Sequence, residues 1–147
     1  MSRSSADAGF TLVEVLVVLM ILGLATTAAV PLLRKPPAPV RLKADVTRMA
    51  AALRVTRAAA MAQNRAMDFV IQAGPATYAS PAISTATMDP AITLTMATAP
   101  PIRGAATGLI RFFPSGQSTG GDVRLRVDQA EMRLQVIWAT GHVLVSP

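Results

Sequence analysis

The chain contains no cysteine and one histidine, His142. Without thiols there is no disulfide framework and no thiolate metal site. A single histidine excludes a His-based metal cluster, and no catalytic triad can be assembled around it. Its place beside a turn marks it as a strand residue. Aromatic residues make up 4% of the sequence. The interleaved aromatics that stack nucleobases are therefore missing. Charged residues are also scarce at 15%, and acids more so, with 8 Asp and Glu against 14 Lys and Arg. The net charge of +6 points to anionic partners such as membrane surfaces or nucleic acid, and leaves the fold open. "GQSTGG" (116–121) has the glycines of a phosphate loop but not its lysine, and Asp122 would repel phosphate. Ser115 and Ser118 have no base beside them. The chain reads as a non-enzyme without metal or cofactor.

What is present is apolar. Of 147 residues, 52% are hydrophobic, and the mean hydropathy is +0.44. That length suits one domain. Much of the excess lies between Phe10 and Leu33, behind the polar start "MSRSSADAG". From Val15 to Leu33 no residue is charged. As a helix this stretch spans about 28 Å, close to the hydrocarbon thickness of a bilayer. A secretory signal peptide, with small residues in "LATTAA" (24–29), a plain anchor, and an anchor with a clipped leader all fit this pattern.

Glu14 separates them. A carboxylate in an apolar medium costs several kcal/mol unless paired. A signal peptide gains nothing from one at the start of its apolar core. A helix that meets a positive group does gain. Cleavage after Gly9 would leave Phe10 with a free amino group about one helical turn from Glu14. A neighbouring copy shifted along its axis would bring its own amino terminus to that carboxylate, so the pairing would report axial register between subunits.

"GFTLVE" followed by the apolar run resembles the leader shared by type IV pilins and type II secretion pseudopilins. The resemblance implies cleavage between Gly9 and Phe10 by a prepilin peptidase, N-methylation of Phe10, and a role for Glu14 in assembly. Pro31 falls where that family's helix commonly kinks. One feature opposes it. Arg34, Lys35, Arg41 and Lys43 follow the apolar run, and the positive-inside rule alone would put that side in the cytoplasm. The leader motif is the more specific of the two signals and takes precedence.

Pro36, Pro37 and Pro39 in "RKPPAPV" predict a break over 34–40. Residues 41–66 lack Gly and Pro and are rich in Ala, Leu, Met and Arg, which predicts a second helix. Val46, Met49, Leu53, Ala60 and Met61 form its apolar stripe. Arg48, Arg54, Arg57 and Arg65 lie largely off the stripe, on a solvated face. Beyond it the period becomes two. Strands are expected over 68–73, 92–98, 109–113, 122–128, 132–138 and 142–146. In "DVRLRVD" and "MRLQVIW" apolar and polar residues alternate, as in antiparallel strands with one wet face. Residues 74–90, rich in Ala, Thr, Ser and Pro, read as an irregular loop. Trp138 reads as core or interface edge. The expected class is α+β: a long apolar pilin-like helix, then a second helix packed on an antiparallel meander.

Two stretches, "LRVTRAAAMAQNRAMDFVI" (53–71) and "LIRFFPSGQSTGGDVRLRV" (109–127), are similar to the H-type minor pseudopilins, the GspH/FimT family. That narrower resemblance implies a leader (1–9), an inner-membrane and assembly helix (10–33), the proline-rich break (34–40) and a periplasmic domain (41–147). It implies a structural subunit near the tip of a short pseudopilus that pushes folded proteins through an outer-membrane channel. Its partners would be the prepilin peptidase, the major subunit, the tip complex and inner-membrane lipid. The alternative within the family is a minor type IV pilin acting in pilus assembly or DNA uptake, with Arg111, Arg124, Arg126 and Arg133 as a basic strip for phosphates. Outside the family, the alternative is a soluble secreted protein with a cleaved signal peptide.

Overall fold

In the computed structural model, residues 10–29, 36–98 and 107–147 are described, with backbone alone for 26–29. The chain divides at Pro36/Pro37 into an N-terminal unit and a unit running to Pro147. The leader with Gly9, the proposed kink at Pro31, and Arg34 and Lys35 lie outside the described residues.

The N-terminal unit contains helix α1, Leu12–Ala29, 18 residues with Glu14 in the first turn. No helix among the described residues is long and apolar enough to cross a membrane. The expected span of 10–33 continues through the side chains of 26–29 and through 30–33, which lie outside them.

The second unit begins with helix α2, Ala38–Ala62. It starts inside the expected 34–40 break, because Pro39 occupies the first turn. There a helix leaves its N–H groups without intrahelical acceptors, so a residue lacking one loses nothing. It also ends before Ala66. Asn64 adopts a φ of 48°, the left-handed conformation that terminates helices, and Arg65 N–H closes the turn onto the Ala60 carbonyl at 3.2 Å.

Among the described residues eight strands follow: β1 Met67–Gln72, β2 Thr77–Ser80, β3 Ile83–Thr87, β4 Thr93–Thr98, β5 Thr107–Phe112, β6 Gly121–Val127, β7 Ala130–Val136 and β8 Val143–Ser146. They make two four-stranded antiparallel sheets, β3-β2-β1-β5 and β4-β6-β7-β8. The meander expected from sequence is thus split in two. Strand β4 already belongs to the second sheet, so the last change of sheet lies between β5 and β6. Thr119 N–H donates to the Arg111 carbonyl at 2.9 Å, and Arg111 N–H donates back to Thr119 Oγ1 at 3.0 Å. The turn therefore runs along the edge of β5 before the chain returns to the second sheet.

The expected loop at 74–90 is corrected: it contains β2 and β3. Gly74 and Pro81 punctuate the segment so closely that the strands have only four and five residues. Tertiary contacts order them. The Tyr78 ring stacks on Phe69 with centroids 5.5 Å apart. Thr56 on α2 shares a 2.8 Å hydroxyl contact with Ser80.

The core lies between α2 and the two sheets. Leu42, Val46, Met49 and Leu53 meet Phe69, Ile71, Ile110, Phe112, Val123, Leu125 and Leu134, all buried. Met61, assigned to the apolar stripe, is 45% exposed. Asp45 is a buried carboxylate on the same helix, and it is satisfied. It accepts from Asp89 N–H at 3.0 Å and from Arg48 Nη1 at 3.3 Å, while Arg41 pairs with Asp89.

Candidate assembly site and surface arginines

The head of α1 is built around Thr11. Its hydroxyl accepts the Glu14 N–H at 3.2 Å, and its carbonyl accepts the Val15 N–H at 3.2 Å. The first contact satisfies a donor of the first turn that has no intrahelical acceptor of its own, and the second is the first bond of the helical ladder. Thr-Leu-Val-Glu has the spacing of a capping box. A carboxylate here also faces the positive end of the helix dipole. Thr11 was missed in the sequence reading, although the T-x-x-E spacing before an apolar run is a recognisable signal. Part of the answer to why an acid stands in this segment is therefore local: position 14 belongs to the helix start.

Phe10 and Glu14 are brought together. Both line one open groove along α1 with Val15, Val18 and Leu19. Phe10 is 81% exposed, and Leu12, Val13 and every large apolar side chain from Val15 to Leu24 are exposed too. A helix apolar on all faces has no stable place in water. It belongs in lipid or among other helices.

The four arginines of the proposed basic strip divide between the sheets. Arg111 is on β5 of the first sheet, opposite Asp68 in the β1–β5 register. Its fork grips that carboxylate at 2.5 and 2.8 Å. The hydrogen bonds from Arg111, with its charge, outweigh partial burial and hold the Asp68 carboxyl below its ordinary pKa. The same pairing raises the guanidinium pKa of Arg111. Arg124, Arg126 and Arg133 share the outer face of the second sheet. Arg133 pairs closely with Asp122, and Arg124 stands 3.8 Å from that same carboxylate. Arg126 lies opposite Glu131. No single strip of bare cations results.

Two arginines expected on a solvated face have other partners. Arg57 Nε donates to the Gly116 carbonyl at 2.9 Å, and Arg54 Nη2 donates to the Val143 carbonyl at 3.2 Å. Arg57 ties α2 to the turn between β5 and β6, and Arg54 ties it to the start of β8. Trp138 is 68% exposed, which removes it from the core. Among the described residues no group of three or more His, Cys, Asp or Glu is placed to hold a metal ion.

The prokaryotic N-terminal methylation motif matches residues 4–30. Type II secretion system protein H of Xanthomonas campestris pv. campestris is 30% identical over 140 residues, 95% of this chain and 83% of the relative. Among solved structures, the minor pseudopilin EpsH from the type 2 secretion system of Vibrio cholerae aligns with a TM-score of 0.60 at 10% identity. It covers 72% of this chain and 96% of that one. The type IV minor pilin FimU of Pseudomonas aeruginosa aligns with a TM-score of 0.56 at 12% identity, covering 72% of this chain and 88% of that one. At such identities these structures speak to the fold alone.

Proposed function

The chain belongs to the family of type II secretion system protein H, a family of minor pseudopilins, and from that premise we propose how it is made and used. The prepilin peptidase cuts between Gly9 and Phe10 and methylates the Phe10 amine. Segment 10–33 then holds the subunit in the inner membrane, with the domain that follows in the periplasm. From there it joins the major subunit and the tip complex in a short pseudopilus that drives folded proteins across the outer membrane.

One observation carries this reading. "GFTLVE" heads a helix whose described side chains are apolar on every face but for that acid. An all-apolar helix serves first in lipid and then in a bundle of like helices. The carboxylate stays tolerable in both if it is paired. A processed amino terminus at Phe10 of a neighbouring subunit is the positive group at hand.

Mass spectrometry of the chain extracted from membranes tests this. The expected first residue is N-methylated Phe10. A mature chain beginning near Ala29 or Val30 would overturn the reading in favour of a signal peptide.

A further inference from the structure

The outer face of the second sheet carries charge that the assembly reading leaves unused. In the β6–β7 register Arg124 stands directly opposite Arg133, with Thr95 and Ser146 completing the row across four strands. Like charges directly opposite on a sheet repel. Asp122, two residues before Arg124, relieves this unequally. It binds Arg133 closely and lies 3.8 Å from Arg124, whose side chain is 58% exposed. The Arg124 guanidinium thus keeps an open fork, a shape matched to a carboxylate. Beside it is a depression of about 260 Å³ lined by Thr95, Met96, Ala97, Asp122, Arg124 and Arg133.

We infer that this face docks a protein partner, a neighbouring subunit that seats an Asp or Glu side chain on Arg124 beside Arg133. The balance of charge favours a carboxylate over a phosphate backbone. Arg124, Arg126 and Arg133 face Asp122 and Glu131, which leaves a single positive charge. Polyphosphate binding draws on several uncompensated cations, and here two carboxylates stand within the patch. The face also has no aromatic side chain on which a base would stack: its outward positions are Thr93, Thr95, Ala97, the charged residues named, Gln135, Leu144 and Ser146. Ala97 and the half-exposed Leu144 add a small apolar area to it.

The absence of cysteine makes the test clean. In cells making the other pseudopilins, full-length Thr95→Cys carries one thiol at the rim of the depression. A short thiol-to-amine crosslinker should give an adduct of defined mass with another pseudopilin, whose linked peptide mass spectrometry identifies. Arg124→Glu with Arg133→Glu should cut its yield by about tenfold or more. Changing the partner's acidic residue nearest the link to Lys should restore it. Arg111→Gln, on the other sheet, should leave it unchanged. If the double variant is degraded, Arg124→Gln alone should still weaken the adduct, and the partner's acid changed to Gln should weaken it equally. No adduct, an adduct indifferent to charge reversal, or failure of the swap would overturn the inference. So would salt-sensitive binding of duplex DNA that is lost with Arg124→Gln. The inference rests on the subunit reading, which the Phe10 terminus and co-recovery with the other pseudopilins report separately. A chain matured and co-recovered normally but without the charge-dependent adduct sinks the docking face alone.

Discussion

At the scale of single residues, two contacts make measurable claims. Asp68 has its carboxyl pKa depressed by Arg111. A depressed acid stabilises the fold above its unfolded pKa of about 3.9 and loses that contribution as pH falls through the lower folded value. Both side chains are partly exposed, so the contribution is small. Denaturation midpoints followed from pH 7 downward should therefore fall less steeply below about pH 4 in Asp68→Asn than in the unaltered chain. Equal acid limbs would show that the pair adds nothing. Gly141 has a φ of 64°, and an added Cβ would strike the Gly116 carbonyl oxygen and the Arg57 side chain. Backbone cannot move aside as a flexible side chain does. Gly141→Ala should cost about 2–4 kcal/mol, read as a lower melting temperature by circular dichroism. Gly74→Ala meets nothing within 4 Å and should melt within a few degrees of the parent.

At the scale of elements, α2 shows where sequence reasoning succeeded and where it stopped. Its existence and buried face followed from helix-forming composition and from Val46, Met49 and Leu53 at helical spacing. Its ends did not. Pro39 looked like a breaker and is a first-turn residue, while Asn64 carried no warning of its left-handed backbone. The long strands β6 and β7 were legible through strict alternation. The short β2 and β3 were not, since Thr, Ala and Ser mark neither face, and their order comes from Phe69 and Thr56 elsewhere in the chain. The arginines of α2 were assigned to solvent because sequence shows charge and not the carbonyl it will meet. Arg57 meets the Gly116 carbonyl at 2.9 Å, in a turn packed against Gly141. Arg57→Ala should remove about 1.5–3 kcal/mol, the range for hydrogen bonds to a charged group. Arg48→Ala should cost far less, because Arg48 is 72% exposed in a short-range pair with Asp45. Urea midpoints compare the two. Equal losses would mean that the tie between helix and turn adds nothing beyond surface charge.

At the scale of the whole molecule, a water-stable domain is joined to a helix that water cannot stabilise, and Glu14 lies in the second. Its leader motif was legible because it is written in consecutive residues. Its surroundings in an assembly were not, because a partner's amino terminus is not encoded beside it. Thr11 supplies a competing account, in which the acid merely helps start its own helix. The two accounts part on substitution. Glu14→Gln keeps the size, the helix propensity and the capping-box spacing, and removes the charge. A neutral amide also costs less than a carboxylate in lipid, so membrane insertion should not suffer. If position 14 serves only the start of α1, the variant should be processed at Phe10 and crosslink to the other pseudopilins as the parent does. If the carboxylate must meet a neighbour's amine to set axial register, the variant should be processed normally, accumulate in the membrane and fail to join. Its crosslinks should fall by about tenfold or more, as on truncating one partner of a desolvated ion pair. Glu14→Asp retains the charge on a shorter side chain and should recover part of the loss. Wild-type crosslinking by Glu14→Gln would assign the residue to its own helix and leave subunit register to apolar packing along α1.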